Sequence, residues 1–219
     1  MTEKQKTQNH DDSQSMTAHE ELNVLMQRRR EELEELRKLG VDPYPHEFNR
    51  TDFSKEVIES FEDDAPRRTV SVAGRVMSLR RMGKASFCHI QDSHGKIQIY
   101  LKKDDLGRIY DAFRLMDIGD VIGVSGYVFR TKLGEVSIHA QSLTLLAKSL
   151  RPLPVVKEKI DETGNKVVYD PFSDKELRYR QRYVDLAVNS EVRDVFVKRA
   201  KIVSAMRKFL DQRNYLEVE

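Results

Sequence analysis

Two kinds of hydrophobic pattern divide this chain. Apolar side chains recur at helical spacing over residues 22–36, and they alternate with polar side chains through most of residues 69–147. Spacing of three or four residues predicts an amphipathic helix, whereas strict alternation predicts strands with one buried face. Helical spacing returns in the last part of the chain, over residues 195–210. The pattern therefore predicts a mainly β region flanked by helices.

The amino-terminal part divides at a capping box. Residues 1–16 are polar and rich in Gln, Asp and Lys, which predicts a disordered tail. The sequence Thr17-Ala-His-Glu20 predicts a helix start, and Gly40 predicts its end. A second short helix is predicted after Ser54. Residues 17–66 are therefore predicted to form a helical segment.

The first predicted helix carries three consecutive arginines, Arg28-Arg29-Arg30. They project in several directions around the helix. One interpretation is a solvated face that pairs with the neighbouring glutamates. The other is contact with an RNA backbone.

The order of predicted elements between residues 67 and 148 is specific. Three strands are followed by helical spacing over residues 104–116 and by two more strands. A five-stranded barrel with a helix between its third and fourth strands is the OB-fold pattern. Gly74 inside the first strand predicts a bulge or a sharp bend. The predicted strands cover residues 70–81, 86–91, 96–101, 121–130 and 135–146.

The second and third strands place a distinctive set of side chains on one face. Alternation predicts that Phe87, His89, Gln98 and Tyr100 share an exposed surface. An aromatic ring beside amides and cations is a suitable platform for an unstacked nucleobase. The ring binds the base by stacking, and Gln or Arg can then read its edge.

The last strand of the predicted barrel repeats this arrangement. One face carries apolar residues, and the other carries Glu135, Ser137, His139 and Gln141. A carboxylate on an RNA-binding face repels phosphate, so it is better suited to accept a hydrogen bond from a base N–H group. Glu135 is therefore a candidate for reading a base.

Composition narrows the function classes. The 219 residues have a formal charge of only +2, but residues 69–147 contain 11 Lys/Arg against 7 Asp/Glu. This local excess is compatible with phosphate contacts. Cys88 is the sole cysteine, which excludes an internal disulfide and fits a reducing compartment, and no Cys/His cluster has zinc spacing.

Targeting and membrane signals are lacking in the sequence. The longest apolar runs fall far short of the ~20 residues that a membrane-spanning helix needs. The amino terminus lacks the apolar core of a secretory signal. The sequence therefore predicts a cytoplasmic protein with no membrane partner.

The region after the predicted barrel is predicted to be a linker, residues 149–189. Arg151-Pro-Leu-Pro154 is extended, residues 155–170 suit a small hairpin, and Ser173-Asp-Lys-Glu176 is a second capping box that begins a helix to about Leu186. A last helix is predicted from about Ser190.

Residues 190–219 end the chain with an exposed apolar stripe. The final sequence Tyr215-Leu-Glu-Val-Glu219 alternates like the start of a strand. An uncovered stripe of this kind predicts either a fragment of a longer protein or a partner that covers the face.

Six runs of sequence, in this order, resemble lysyl-tRNA synthetases of the bacterial type, which are class II enzymes of the lysine, aspartate and asparagine subgroup. The resemblance extends over roughly residues 20–219. The six runs are RRREELEELRKLGVDPYP (28–45), AGRVMSLRRMGKASF (73–87), KIQIYL (96–101), GEVSIHA (134–140), LRPLP (150–154) and RYRQRYVDL (178–186).

The resemblance implies that the barrel, residues 67–148, binds the tRNA anticodon, whose central base is uridine. It implies that Phe87 stacks on that base and that Arg80 and Gln98 hydrogen-bond its edge. Glu135 is implied to help read the neighbouring anticodon base. By alternation, and not from the resemblance, His139 and Tyr100 share this face, and His139 is a further candidate for anticodon binding. The alternative for His139 is a surface or structural histidine.

Structural alternatives stay open for these residues. Arg81 follows Arg80 directly, so the choice between the two arginines depends on one step of strand register. The alternative for Phe87 is a buried barrel residue. The alternative for Gln98 and Glu135 is that they are ordinary strand residues that face solvent.

The resemblance also implies the activity of a longer parent enzyme. That enzyme would activate lysine with ATP and Mg²⁺, charge tRNA(Lys), and form a homodimer through the last helix. Residues 190–219 would be the truncated start of its catalytic domain. The expectation for this chain is a tRNA-binding fragment without catalytic residues, metal ligands or a cofactor of its own.

Two other functions are compatible with the sequence. The first is a sibling synthetase fragment for aspartate or asparagine, which shares the barrel and the central uridine. The second is a free-standing OB-fold protein that binds single-stranded nucleic acid. The apolar stripe of the last helix argues against the second, because a complete binding module would cover that stripe.

Overall fold

The computed structural model describes residues 3–154, 157–160, 166–169 and 172–218. The chain divides into two compact units, Met1–Pro152 and Leu153–Glu219. The first unit contains the sheet predicted from the alternating pattern.

Helix α1 covers Glu3–Lys38. The predicted disordered tail over residues 1–16 and the predicted start at Thr17 therefore differ from the structure. Residues 3–16 contain no glycine or proline. Because helix propagation costs little once a nucleus exists, such a polar segment can continue the helix that residues further along nucleate.

Two apolar side chains fix the last turns of α1 to the rest of the first unit. Leu33 and Leu36 are buried, whereas Leu22 and Leu25 are exposed. The stripe predicted for this helix therefore packs only near its carboxyl end. Helix α2 covers Ser54–Glu59, which confirms the predicted short helix.

Five strands form a closed ring in the order β1-β2-β3-β5-β4. All neighbours pair antiparallel except β3 and β5, which pair parallel. The predicted order of three strands, a helical connection and two strands is confirmed. The strands are β1 Thr69–Met82, β2 Ala85–Gln91, β3 Lys96–Lys102, β4 Val121–Arg130 and β5 Val136–Ala147.

Strand β1 is long enough to pair with both β4 and β2, and it changes partner near Gly74. A Cβ atom at Gly74 would lie 2.8 Å from the Gln91 carbonyl oxygen, so this glycine permits a close approach of two strands. The bulge itself lies further along, between Val76 and Ser78, and leaves Met77 as the extra residue. The prediction of a bulge or bend was therefore correct for the strand, but the bulge is not at the glycine.

The connection between β3 and β4 contains two short helices, α3 over Lys103–Leu106 and α4 over Arg108–Phe113. The prediction of a single helix over residues 104–116 was therefore wrong, because two short helices occupy this connection. Gly107 separates them with a φ of 56°, a left-handed conformation that glycine adopts without steric cost and that ends a helix.

The interior of the ring is filled by the inward-facing residues of all five strands and by the two short helices. Alternation is visible in β2 and β3, where every second residue is buried. Tyr110 and Phe113 of α4 belong to the same core. Among its fully buried side chains are Ile90, Ile97, Ile99, Leu101, Ile122, Ile138 and Leu145.

A buried group of charged side chains holds α1 against the ring. The Lys148 side chain is completely buried, and its Nζ lies 2.7 Å from Asp117 Oδ2, 3.2 Å from Asp120 Oδ2 and 3.4 Å from Glu32 Oε2. Nζ also donates to the Leu115 carbonyl at 2.7 Å. We call the four charged residues Lys148, Asp117, Asp120 and Glu32 the Lys148 cluster.

Arg29 extends the Lys148 cluster from the helix side. Its guanidinium donates to the carbonyl oxygens of Ile118, Ser149 and Arg151 at 2.8–3.1 Å. Arg28 instead pairs with Glu32 at 2.9 Å. The interpretation of a solvated arginine run therefore holds for Arg28 but not for Arg29, which is buried in the first unit.

The second unit begins with a hairpin of β6 Lys157–Ile160 and β7 Lys166–Tyr169, which pair antiparallel. This confirms the predicted hairpin, although its turn lies outside the described residues. No helix in the described part of the chain is both long enough and apolar enough to cross a membrane.

Three helices follow the hairpin: α5 Lys175–Arg180, α6 Arg182–Val188 and α7 Ser190–Asp211. The predicted single helix to Leu186 is thus interrupted, at Gln181. The amino-terminal cap of α5 is Asp174, which accepts from the Leu177 N–H, and not Ser173 as predicted. The predicted start of α7 is confirmed.

Candidate nucleic-acid interface

Side chains from all five strands form a row across the outer face of the ring. The register pairs Arg80 with Phe87, Phe87 with Tyr100, Tyr100 with His139, and His139 with Tyr127. We call this set the aromatic row. Because directly opposite residues lie within contact distance, a ring on one strand supports the ring on the next.

A second row runs beside the first and is polar. Ser78 pairs with His89, His89 with Gln98, and Gln98 with Ser137. We call this set the polar row. The prediction that Phe87, His89, Gln98 and Tyr100 share one surface is confirmed by this register.

The two rows border an open cavity of about 650 Å³. A cavity of this size is large enough for a small-molecule ligand or a nucleobase. The β4–β5 turn lines part of the cavity. The lining residues are Ser78, Leu79, Arg80, Phe87, His89, Gln98, Tyr100, Phe129, Thr131, Lys132, Leu133 and Glu135.

Phe87 lies between Arg80 and Tyr100 in the aromatic row and lines the cavity. Its ring centroid is 5.0 Å from that of Tyr100, and Tyr100 makes an edge-to-face contact with Phe129 at 6.1 Å. The alternative of Phe87 as a buried core residue is wrong, because Cys88 and Ile90 take the inward positions of this strand. Phe87 is held from one side and faces the cavity.

The structure distinguishes the two adjacent arginines. Arg80 lines the cavity. Arg81 donates to the Met116 carbonyl. Within the described residues, the Arg80 guanidinium makes no hydrogen bond or ion pair, so its donors face the cavity and solvent.

Gln98 and Glu135 are joined directly. The Gln98 side-chain nitrogen donates to Glu135 Oε2 at 2.6 Å, and its oxygen accepts from the Ser137 hydroxyl at 2.9 Å. His89 Nε2 lies 2.9 Å from the other carboxylate oxygen of Glu135. Neither Gln98 nor Glu135 is a free solvent-facing side chain, because both belong to a connected network.

His139 is the one candidate that does not line the cavity. Its Nε2 donates to Asp105 Oδ2 at 2.7 Å, and its Nδ1 lies 2.7 Å from the Tyr127 hydroxyl. Its ring contacts Tyr100 edge-on, with centroids 5.0 Å apart. His139 therefore supports the aromatic row, and both of its nitrogens have partners.

The sequence did not single out several lining residues. Phe129 alternates with Tyr127 on β4, and that alternation was the available signal. Lys132 and Leu133 lie on the β4–β5 turn, and Leu133 is 94% exposed. Turn residues carry no periodic signal, so their position at the cavity depends on the folded register.

Chemistry at the cavity depends on hydrogen bonding and stacking. Arg80 and Lys132 supply positive charge, and Glu135 supplies a carboxylate. The nearest thiol, Cys88, lies on the inner face of β2, where burial raises its pKa to about 12. The cavity therefore presents rings and polar groups for binding, without a nucleophilic cysteine.

Two family models match this chain. The OB-fold nucleic acid binding domain matches residues 70–146, which contain all five strands except their outermost residues. The class II tRNA synthetases of the D, K and N group match residues 174–219. The first match coincides with the ring that carries both rows.

Two relatives are similar over 87% of this chain. A lysine–tRNA ligase of Azobacteroides pseudotrichonymphae is 53% identical over 199 residues. A lysine–tRNA ligase of Porphyromonas gingivalis is 51% identical over 201 residues. The chain spans 39% and 34% of the lengths of these two relatives, respectively. Over the part that these comparisons cover, the chain belongs to the lysine–tRNA ligase family of class II synthetases, with an OB-fold nucleic-acid-binding domain.

Proposed function

We propose that this chain recognises a tRNA anticodon and that its cavity selects the central uridine. The observation that supports this most directly is the convergence of Phe87, Arg80 and Gln98 on one cavity at the outer face of the ring. A ring, a guanidinium and an amide in this arrangement combine stacking with hydrogen bonds to a base edge.

Each residue has a distinct part in this proposal. Phe87 stacks on the uracil ring, because its own ring is supported by Tyr100 and faces the cavity. Arg80 donates to a uracil carbonyl oxygen, since its guanidinium has no partner within the described residues. Gln98 donates one N–H to Glu135 and keeps a second N–H for the base. His139 steadies the aromatic row through Asp105.

The larger activity is also part of the proposal. The whole protein would be a lysine–tRNA ligase that activates lysine with ATP and Mg²⁺, charges tRNA(Lys), forms a homodimer through α7 and works in the cytoplasm. Among the described residues, no group of three His, Cys, Asp or Glu side chains is placed to hold a metal ion. We assign no residue of this chain to ATP or Mg²⁺ in this proposal.

Binding to anticodon stem-loops tests the proposal. The 219-residue chain is titrated with a lysine anticodon stem-loop and with the same loop carrying cytidine in place of the central uridine. We expect about tenfold weaker binding of the cytidine loop, because Arg80 and Gln98 then face a different hydrogen-bonding edge. Equal affinity for the two loops would refute recognition of the central uridine.

The same assay separates the related functions. A sibling synthetase for aspartate or asparagine would keep the preference for the central uridine but favour a different first anticodon base. A free-standing single-strand binder would bind both loops and an unstructured oligonucleotide alike. The 51–53% identity to lysine–tRNA ligases supports the lysine assignment.

A further inference from the structure

We propose that His89 and Ser78 are positioning residues for Glu135. Together with Gln98, they hold the Glu135 carboxylate as a fixed acceptor that selects an N–H group on the nucleobase beside the central one. This inference rests on the proposed function, because it specifies how the same cavity recognises a second base.

Both oxygens of the Glu135 carboxylate have protein donors. His89 Nε2 lies 2.9 Å from Oε1, and Gln98 Nε2 lies 2.6 Å from Oε2. The two donors come from β2 and β3, which are directly paired at these residues. A carboxylate held at both oxygens by neighbouring strands has little rotational freedom, although it belongs to the β4–β5 turn.

The direction of the hydrogen bonds follows from the chemistry of the groups. An ionised carboxylate only accepts, so the hydrogen between His89 and Glu135 belongs to His89 Nε2. In a neutral imidazole, Nδ1 is then an acceptor, and it lies 2.8 Å from the Ser78 hydroxyl. Ser78 therefore donates to His89, and His89 donates to Glu135. This chain of donors keeps the imidazole in one tautomer and one orientation.

Glu135 keeps binding capacity for a ligand. Its side chain is 48% exposed, and it lines the cavity beside Arg80 and Lys132. Neither cation forms an ion pair with it within the described part of the chain. Each carboxylate oxygen has a second lone pair, so the group can accept from a base while its protein donors stay in place.

The fixed acceptor has a consequence for selectivity. Uracil and guanine present ring N–H groups, and such a group can donate to Glu135. Cytosine and adenine carry an acceptor nitrogen at the corresponding ring position, which would leave the carboxylate facing a lone pair, an unfavourable contact. Because the carboxylate is already oriented before binding, little side-chain entropy is lost when the base arrives.

The test uses RNA stem-loops in which one N–H group is blocked. The lysine anticodon stem-loop is compared with two versions that carry 3-methyluridine on either side of the unmodified central uridine. We expect wild type to bind one of the two modified loops about tenfold more weakly than the parent loop. His89→Ala should reduce that discrimination to less than about threefold.

Three further variants distinguish positioning from a general structural role. His89→Gln keeps one donor and one acceptor, so it should stay within about threefold of the wild-type discrimination. Ser78→Ala should reduce discrimination in the same direction but less than His89→Ala. His46→Ala, an exposed histidine that does not line the cavity, should leave it unchanged.

The outcomes separate this inference from the proposed function. If the protein prefers central uridine over cytidine but His89→Ala keeps the full methyl discrimination, only the positioning role is overturned. The same conclusion follows if His89→Ala weakens all stem-loops equally. If neither modified loop binds more weakly than the parent, selection of an N–H group by Glu135 is overturned as well. Loss of the uridine preference itself would overturn the proposed function.

Discussion

The molecule contains two polar networks that differ in how completely their groups are paired. In the Lys148 cluster, the ammonium group and the Asp120 carboxylate are fully buried and lie 3.2 Å apart. In the cavity network, Glu135 is about half exposed, and Arg80 has no partner among the described residues. Both networks join strands or helices that are distant in sequence.

The difference separates a structural role from a binding role. Burying charge is costly unless partners replace the lost hydration. The Lys148 ammonium has three carboxylates and a carbonyl around it, and burial raises the pKa of Asp120. At the cavity, water still solvates the unpaired groups, so their hydrogen-bonding capacity remains available for a ligand. Unused donors and acceptors at a concave surface distinguish the region that we propose binds RNA.

The largest effect should come from the Lys148 cluster. Lys148→Met removes the buried ammonium and leaves the fully buried Asp120 carboxylate without its cation, so we expect the free energy of unfolding to fall by about 3–5 kcal/mol. Urea unfolding followed by circular dichroism measures this change. The matched control is Lys132→Met at the cavity, which should change stability by less than about 0.5 kcal/mol. Similar losses for both variants would contradict the distinction between the two networks.

A smaller effect should come from the aromatic row. Phe87→Ala removes a stacking surface, so we expect binding of the anticodon stem-loop to weaken by about 1–3 kcal/mol. Fluorescence titration measures the affinity. Phe53→Ala is the matched control, because Phe53 is a partly exposed ring that stacks on His94 outside the cavity. Unchanged affinity in Phe87→Ala would exclude Phe87 as the stacking platform.

The smallest effect should distinguish the two adjacent arginines. Arg80→Ala removes a donor from the cavity, so we expect a loss of about 1 kcal/mol in the preference for central uridine over cytidine. Arg81→Ala breaks a bond to the Met116 carbonyl and should lower stability without changing that preference. The preference is measured by titrating both loops. A larger loss of preference in Arg81→Ala than in Arg80→Ala would reverse the assignment.

Much of the first unit could be predicted because its strands are amphipathic. In β2 and β3, every inward residue is apolar or small and, apart from Ala85, every outward one is polar or aromatic. Alternation therefore gave the strands, their faces and the shared surface of Phe87 and Gln98. Glu135 was predicted from its chemistry, as a carboxylate on a face that otherwise suits RNA.

Local sequence patterns did not predict the partners of side chains that interact with residues far away in the chain. Arg28 and Arg29 are adjacent and have the same side chain, but their partners differ. Arg28 pairs with Glu32, one helical turn away. Arg29 donates to three backbone carbonyl groups that are distant in sequence. Lys148 gave no signal in the sequence, because its partners lie on α1 and on the segment before β4. His139 was placed on the correct face, but its hydrogen bonds to Asp105 and Tyr127 depend on how α3 and β4 are positioned.

The sequence by itself determined the order of the five strands, the face on which each side chain lies within β2 and β3, and the resemblance to a synthetase family. These properties are local, because side-chain direction in a regular strand depends only on a period of two. The tertiary structure decided which arginine faces the cavity, since the extra residue Met77 reverses the alternation of β1 and aligns Arg80 with Phe87. It also decided the closure of the ring and the paired state of each charge, because those properties depend on contacts between residues far apart in the chain.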